Sequence, residues 1–211
     1  MTLRTMTLRT INLGTIKLRE MGPKITCALL AICLSTPLWA DTSSAIPMPQ
    51  MLETEDYRGG ISKTGDLYIA GQPMVEDALR KLKAEGVTTV INLRTEEEMA
   101  NRKSTPIDEA KILEKLGMKY IHIPSGGKKN PFSPATLESF ASAMDQSDGK
   151  VLLHCNSARR ATHIWVAYLV KYKNVPLEEA LTYGRAVNFG ATPIEGYLEG
   201  EIGFTLLDAS H

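Results

Sequence analysis

The sequence predicts an α/β domain: a central, mostly parallel sheet flanked by helices. Three observations carry that prediction. Short β-branched runs at 65–70, 87–93, 119–124 and 150–155 alternate with stretches of helical period at 75–85, 106–116, 134–144, 161–170 and 176–187. The run 87–93, with Val87, Val90 and Ile91, reads as a strand buried on both faces. Strands separated by helices at these intervals leave room for the crossovers that parallel pairing requires.

Each element has a local cause. Strand 65–70 is closed by the turn Gly71-Gln72-Pro73. Ala78, Leu79 and Leu82 form the apolar stripe of the first helix, which Gly86 stops. Helix 106–116 is ended in the same way by Gly117. In strand 119–124, His122 alternates with Ile121 and Ile123, as a satisfied structural histidine would. Ser133 is placed to cap the next helix, with Pro134 at the first helical position, where a missing N–H costs nothing. Strand 150–155 runs straight into a polar loop. In the apolar helix after it, Trp165, Tyr168 and Leu169 hold core spacing, and His163 is expected to pack with them.

The chain has 211 residues, 43% hydrophobic and 23% charged, enough for one core plus an appendage. Net charge is zero, which gives no nucleic-acid footprint. The appendage is N-terminal. Met-Thr-Leu-Arg-Thr occurs twice in residues 1–10, and from Met21 the chain reads as an export signal. Lys24 precedes a short apolar run, 25–34, and a small residue stands before a cut at Ala40–Asp41. Residues 1–40 are thus an N-terminal extension and cleaved signal peptide, with Met21 as an alternative start. Residues 41–57 are a leader and 58–211 the domain. The apolar run is too short to span a bilayer, so no membrane contact is expected after cleavage, and the location is periplasmic or secreted. Removing residues 1–40 turns 24 basic and 24 acidic residues into 19 and 23, a net of −4, and leaves Cys155 alone after Cys27 and Cys33 depart. A solitary thiol in an oxidising compartment calls for a use other than a disulfide.

Its neighbours suggest one. In His154-Cys155-Asn156-Ser157-Ala158-Arg159-Arg160-Ala161-Thr162 the thiol stands at a strand end, just before a helix N-terminus. Backbone N–H groups and the helix dipole there stabilise a thiolate and equally cradle phosphate oxygens. Arg160 adds a planar fork that binds two oxygens at once. Thr162 can donate a hydrogen bond toward the sulfur, and His154 should lie under the loop and hold its backbone.

Together these residues resemble the cysteine-dependent protein tyrosine and dual-specificity phosphatases. Tyr68-Ile69-Ala70-Gly71-Gln72-Pro73, the run from Gly86 to Asn92-Leu93-Arg94, and the loop from His154 to Thr162 are similar to the bacterial beta-lactamase-hydrolase-like branch. The resemblance covers most of residues 60–190. It implies a dual-specificity-phosphatase-like fold and phosphomonoester hydrolysis through a phosphocysteine. Cys155 would attack phosphorus. Arg160 and the loop residues Asn156, Ser157, Ala158, Arg159, Ala161 and Thr162 would hold the phosphate, with His154 in support. No cofactor or metal is implied. The substrate would be a phosphorylated protein or small phosphate ester.

Two departures qualify the resemblance. The superfamily usually places five residues between cysteine and arginine, whereas Arg160 follows Cys155 after four, with Arg159 as understudy. Six-position loops also occur in rhodanese-like sulfurtransferases, which makes sulfur transfer the rival activity and a weak phosphate-binding module the non-enzymatic one. The stretch 125–130, where the superfamily carries its general acid, has no carboxylate. Asp145 and Asp148 fall at a helix end and turn instead. Unaided departure would favour aryl phosphates. Lys128 and Lys129 either steer an anion or merely solvate the loop. Arg94 is expected to pair with Glu96 to Glu98 at the surface.

Overall fold

The computed structural model describes residues 46–190 and 194–199. The expected export signal, its cleavage site and the alternative start lie outside the described residues. Six strands form one sheet: β1 (Gln50–Leu52), β2 (Ile61–Thr64), β3 (Leu67–Ala70), β4 (Val87–Asn92), β5 (Lys119–His122) and β6 (Lys150–His154), in the spatial order β1-β2-β3-β6-β4-β5. β3, β6, β4 and β5 are mutually parallel, and β1 and β2 extend the sheet antiparallel at one edge.

The helices are α1 (Glu76–Ala84), α2 (Glu96–Ala100), α3 (Glu109–Leu116), α4 (Pro134–Asp145), α5 (Arg159–Lys173) and α6 (Leu177–Arg185), followed by a 3-10 turn at Ile194–Gly196. They cover the sheet on both faces because the parallel strands are apolar on both. Ile69, Ile91 and Leu153 pack with residues of α4, α5 and α6. Their neighbours Tyr68, Val90 and Leu152 point the other way, against Leu79 and Leu82 of α1 and Leu113 of α3. Burying one such side chain contributes about 1.5–3 kcal/mol, so β6, the second of the four parallel strands, is tightly held.

The structure adds to the sequence expectation the strand β2, which pairs with β3, and departs from it elsewhere. β1 and Tyr57, which is buried, lie within the expected leader, so the second half of that leader belongs to the domain. All three β1 residues are exposed, and backbone pairing with β2 alone places them, which no apolar pattern reveals. The helix expected over 106–116 starts at Glu109, where the Asp108 side chain caps it by accepting from the Lys111 amide. The short α2 was not expected, although Thr95-Glu96-Glu97-Glu98 is a capping-box sequence and forms one.

The register sets up the site. Ala70 and Asn92 both align with His154, so the carboxyl ends of β3, β4 and β6 finish side by side. In open α/β sheets that edge is where ligands bind.

Candidate active site

Cys155 is the first residue past β6, and its amide donates to the Ala70 carbonyl at 3.3 Å. The chain then turns through Ala158, whose φ of 63° is left-handed, and α5 begins at Arg159. The first bond of helical spacing runs from the Thr162 amide to the Ala158 carbonyl at 2.8 Å. The amides of Arg159 to Ala161 therefore sit at the positive end of the helix. The loop's carbonyls are anchored from outside: Asn156 O accepts from the Gln72 amide at 3.1 Å and Ser157 O from Asn188 Nδ2 at 2.6 Å. Gly71 is obligatory here, because a Cβ would stand 1.5 Å from the Arg58 carbonyl oxygen. The thiol itself is 1% exposed.

Under the loop lies a fully buried polar pair. His154 Nε2 is 2.8 Å from Glu109 Oε1, at ion-pair distance but out of line for a directed hydrogen bond. His154 Nδ1 faces the Cys155 carbonyl at 3.4 Å. The other Glu109 oxygen accepts from Asn92 Nδ2 at 2.9 Å, and the same amide nitrogen lies 3.0 Å from the Tyr120 hydroxyl. Burial, with the nearby Glu109 charge, pushes the Tyr120 phenol above the usual tyrosine range.

Arg160 reaches across the strand ends. Its Nη1 donates to the Ser125 carbonyl at 2.7 Å and to Glu98 Oε2 at 2.8 Å, and its Nη2 to Glu98 Oε1 at 2.6 Å. Nε donates to none of the described residues. The capping box aims Glu98: its carboxylate accepts from the Thr95 amide at 2.9 Å while Thr95 Oγ1 accepts from the Glu98 amide. Partial burial raises the Glu98 pKa, but hydrogen bonds from Arg160 and Thr95 outweigh it and hold the carboxyl below the usual glutamate value. Conversely, burial lowers the Arg160 pKa, and the Glu98 bonds and the Cys155 charge overcome that and raise it. The segment after β5, 125–130, holds no carboxylate. Glu98 arrives from the first turn of α2, after β4, and the capping-box signature is the signal in the sequence that marks it.

Other expected residues fall as follows. The Thr162 hydroxyl donates to the Ala158 carbonyl at 2.9 Å, back along its own helix, rather than toward the sulfur. Threonine often bonds the carbonyl four residues earlier, and at a helix start this competes with any outward contact. The Arg159 side chain is directed at Gly190, away from the Arg160 fork. Ala161 is buried beneath the loop. Arg94 is not a surface residue: it is 1% exposed, its Nη1 bonds Gln72 Oε1 at 2.7 Å and Thr105 Oγ1 at 2.6 Å, and its Nε lies 3.7 Å from Glu98 Oε1. It clamps the turn after β3 to the segment after α2. His122 Nε2 meets the Arg94 carbonyl at 2.6 Å, and His163 is buried against Phe189 with its ring nitrogens on the Arg159 and Gly190 carbonyls. Asp148 precedes the amino end of β6, opposite the site. Lys129 pairs with Glu97 at 2.9 Å. Lys128, Lys129 and Arg160 share a groove of about 460 Å³ that opens beside Glu98.

A thiol at the end of a parallel strand, followed by a helix and a carboxylate-held arginine, sits here on a sheet of the tyrosine-phosphatase-like fold. Residues 61–169 match the family model "Beta-lactamase hydrolase-like protein, phosphatase-like domain", and the chain belongs to that family. Two curated relatives, the beta-lactamase hydrolase-like proteins of Xylella fastidiosa strains Temecula1 and 9a5c, are each 27% identical over 123 residues, 58% of this chain. The chain spans only 28% of their length. Among solved structures, a phosphatase-like protein of Shewanella putrefaciens CN-32 superposes with a TM-score of 0.51 at 28% identity, over 74% of this chain and 91% of the other. P. aeruginosa TpbA, as a cysteine-to-serine variant in complex with phosphotyrosine, gives 0.51 at 15% identity over 70% and 84% of the two chains, a likeness of fold alone.

Proposed function

We propose that the protein hydrolyses phosphomonoesters through a phosphocysteine intermediate, with a preference for aryl phosphates such as phosphotyrosine. The observation that supports this is the placing of Arg160 in the first turn of the helix that follows Cys155, with its guanidinium fixed across the strand ends by Glu98 and the Ser125 carbonyl. Cys155 attacks phosphorus, Arg160 and the loop amides hold the equatorial oxygens, and water releases phosphate. Unaided departure suits a phenol, pKa about 10, far better than a serine alkoxide. The phosphotyrosine bound to TpbA, a distant relative of the same fold, supports an aryl substrate. Phosphorylated proteins and small phosphate esters are both within the reading. So is export to the periplasm or beyond, which the pattern of residues 21–40 supports.

The test is p-nitrophenyl phosphate hydrolysis alongside thiosulfate-to-cyanide sulfur transfer, with the wild type and Cys155→Ser. Hydrolysis that falls at least ~10³-fold in the variant is expected, on the scale of losing a catalytic nucleophile. Thiocyanate formation without hydrolysis would make the protein a sulfurtransferase.

A further inference from the structure

The absence of a carboxylate from residues 125–130 leaves the leaving group without an evident proton donor. We propose that Tyr197 fills that role, donating its phenolic proton to the departing oxygen, with Ser125 as the positioning residue that supports the phenolate formed. The proposal rests on the phosphatase reading above.

Ser125 begins the segment in question and is tied to the site from three sides. Its amide donates to the Leu93 carbonyl past β4 at 3.0 Å, its carbonyl accepts from Arg160 Nη1 at 2.7 Å, and its hydroxyl lies 2.7 Å from the Tyr197 hydroxyl. The phenol is therefore one residue removed from the arginine expected to hold the phosphate. Both side chains are buried, Ser125 fully and Tyr197 to 1% exposure.

The placement of Tyr197 is specific. Gly196 lets its turn press against the backbone of Phe132, where a Cβ would sit 2.5 Å from the Phe132 carbonyl oxygen, and the Phe132 ring meets Tyr197 edge-on at 5.4 Å. A buried tyrosine hydroxyl normally takes a partner. Most simply that partner would be a carbonyl, which can only accept. Here it is a hydroxyl, and in such a pair either oxygen can donate. Tyr197 can thus release its proton and receive a hydrogen bond from Ser125 in the same place. Burial, with a smaller contribution from the Cys155 charge, raises the Tyr197 pKa above the usual tyrosine value, while Ser125 and the Arg160 cation act the other way. The phenol is held protonated at neutral pH, with a cation near enough to temper the phenolate.

The step balances. As the bond from Cys155 sulfur to phosphorus forms and the ester P–O bond breaks, the Tyr197 proton passes to the leaving oxygen and Ser125 donates to the phenolate. In the second half water attacks phosphorus, the P–S bond breaks, the water proton returns to Tyr197, and the thiolate is restored. So weak an acid helps an alkoxide to leave and does little for p-nitrophenolate, which needs no proton. The aryl preference therefore persists, and turnover of alkyl esters depends on Tyr197.

The experiment measures kcat/KM of the full chain for p-nitrophenyl, phenyl and an alkyl phosphate, with wild type, Tyr197→Phe, Ser125→Ala and the double variant. Vanadate inhibition checks that the loop is intact. Tyr197→Phe should cut the alkyl ester at least tenfold, the low end of what general acids supply, and leave p-nitrophenyl phosphate within about twofold. Ser125→Ala should show a smaller loss of the same kind, and the double variant should be no worse than Tyr197→Phe. An equal loss on all three esters, an unchanged alkyl ester, or a wild type inactive on the alkyl ester would overturn the role of Tyr197 and leave the phosphatase reading standing. A wild type inactive on p-nitrophenyl phosphate would overturn both.

Discussion

Glu98 makes two of the bonds that fix the Arg160 guanidinium, and each is charge-assisted and short, at 2.8 and 2.6 Å. A free arginine side chain would have to be ordered at the moment of binding, at a cost in entropy. Held by Glu98, the guanidinium is ordered in advance. Glu98→Gln keeps the shape and removes the charge. It should lower kcat/KM for p-nitrophenyl phosphate about tenfold, the equivalent of about 1.4 kcal/mol, with weaker vanadate inhibition. The same pair has a pH signature. The folded Glu98 pKa is depressed, so the stability it confers is fully present above the unfolded glutamate pKa and is lost as pH falls through the lower folded value. Urea titrations at neutral and acid pH should show a wild-type loss over that interval that is smaller in the Gln variant.

At the scale of elements, α3 and β6 meet through Glu109 and His154, and neither has any exposure to water. Asn92 Nδ2 donates to one Glu109 oxygen, and the His154 imidazole lies 2.8 Å from the other. Removing one partner strands the other. Glu109→Ala should therefore destabilise the fold by about 3–5 kcal/mol, read from the denaturant midpoint, far beyond the loss of the same group at an exposed helix position such as Glu114. Because His154 backs the Cys155 carbonyl, the variant should also lose vanadate affinity while still folded. The α5 start works alongside this support. Ala158 takes a left-handed φ that is unfavourable for alanine, and the bonds from Gln72 and Asn188 to the adjoining carbonyls oppose that cost.

At the scale of the molecule, the described residues form one sheet with helices on both faces, and among them no helix is long and apolar enough to cross a membrane. Under the proposed export the mature chain carries a net charge of −4, and isolation from the cell envelope should yield a mature N-terminus at Asp41, measured by intact mass. A chain retaining residues 21–40 would contradict export by cleavage.

The parallel strands, the large helices and the Cys155-to-Arg160 loop were legible in the residues because each is encoded locally. Apolar periodicity marks burial, glycine and proline mark ends, and a thiol followed by amides and arginine at a strand end announces anion chemistry. β1 was illegible for the opposite reason: its residues are exposed and held by backbone bonds to β2. The surroundings of the loop also needed the fold. Glu98 is 62 residues from Arg160, and Ser125 is 72 from Tyr197. No spacing rule joins groups so far apart, and the order β3-β6-β4-β5 brings them to one edge. The sequence by itself singled out Cys155 and the residues after it as a candidate site and determined the class of sheet that carries them. Only the tertiary structure decided what holds the arginine, what lies beneath the histidine and which hydroxyls face the missing acid's place, because those depend on which strand ends become neighbours.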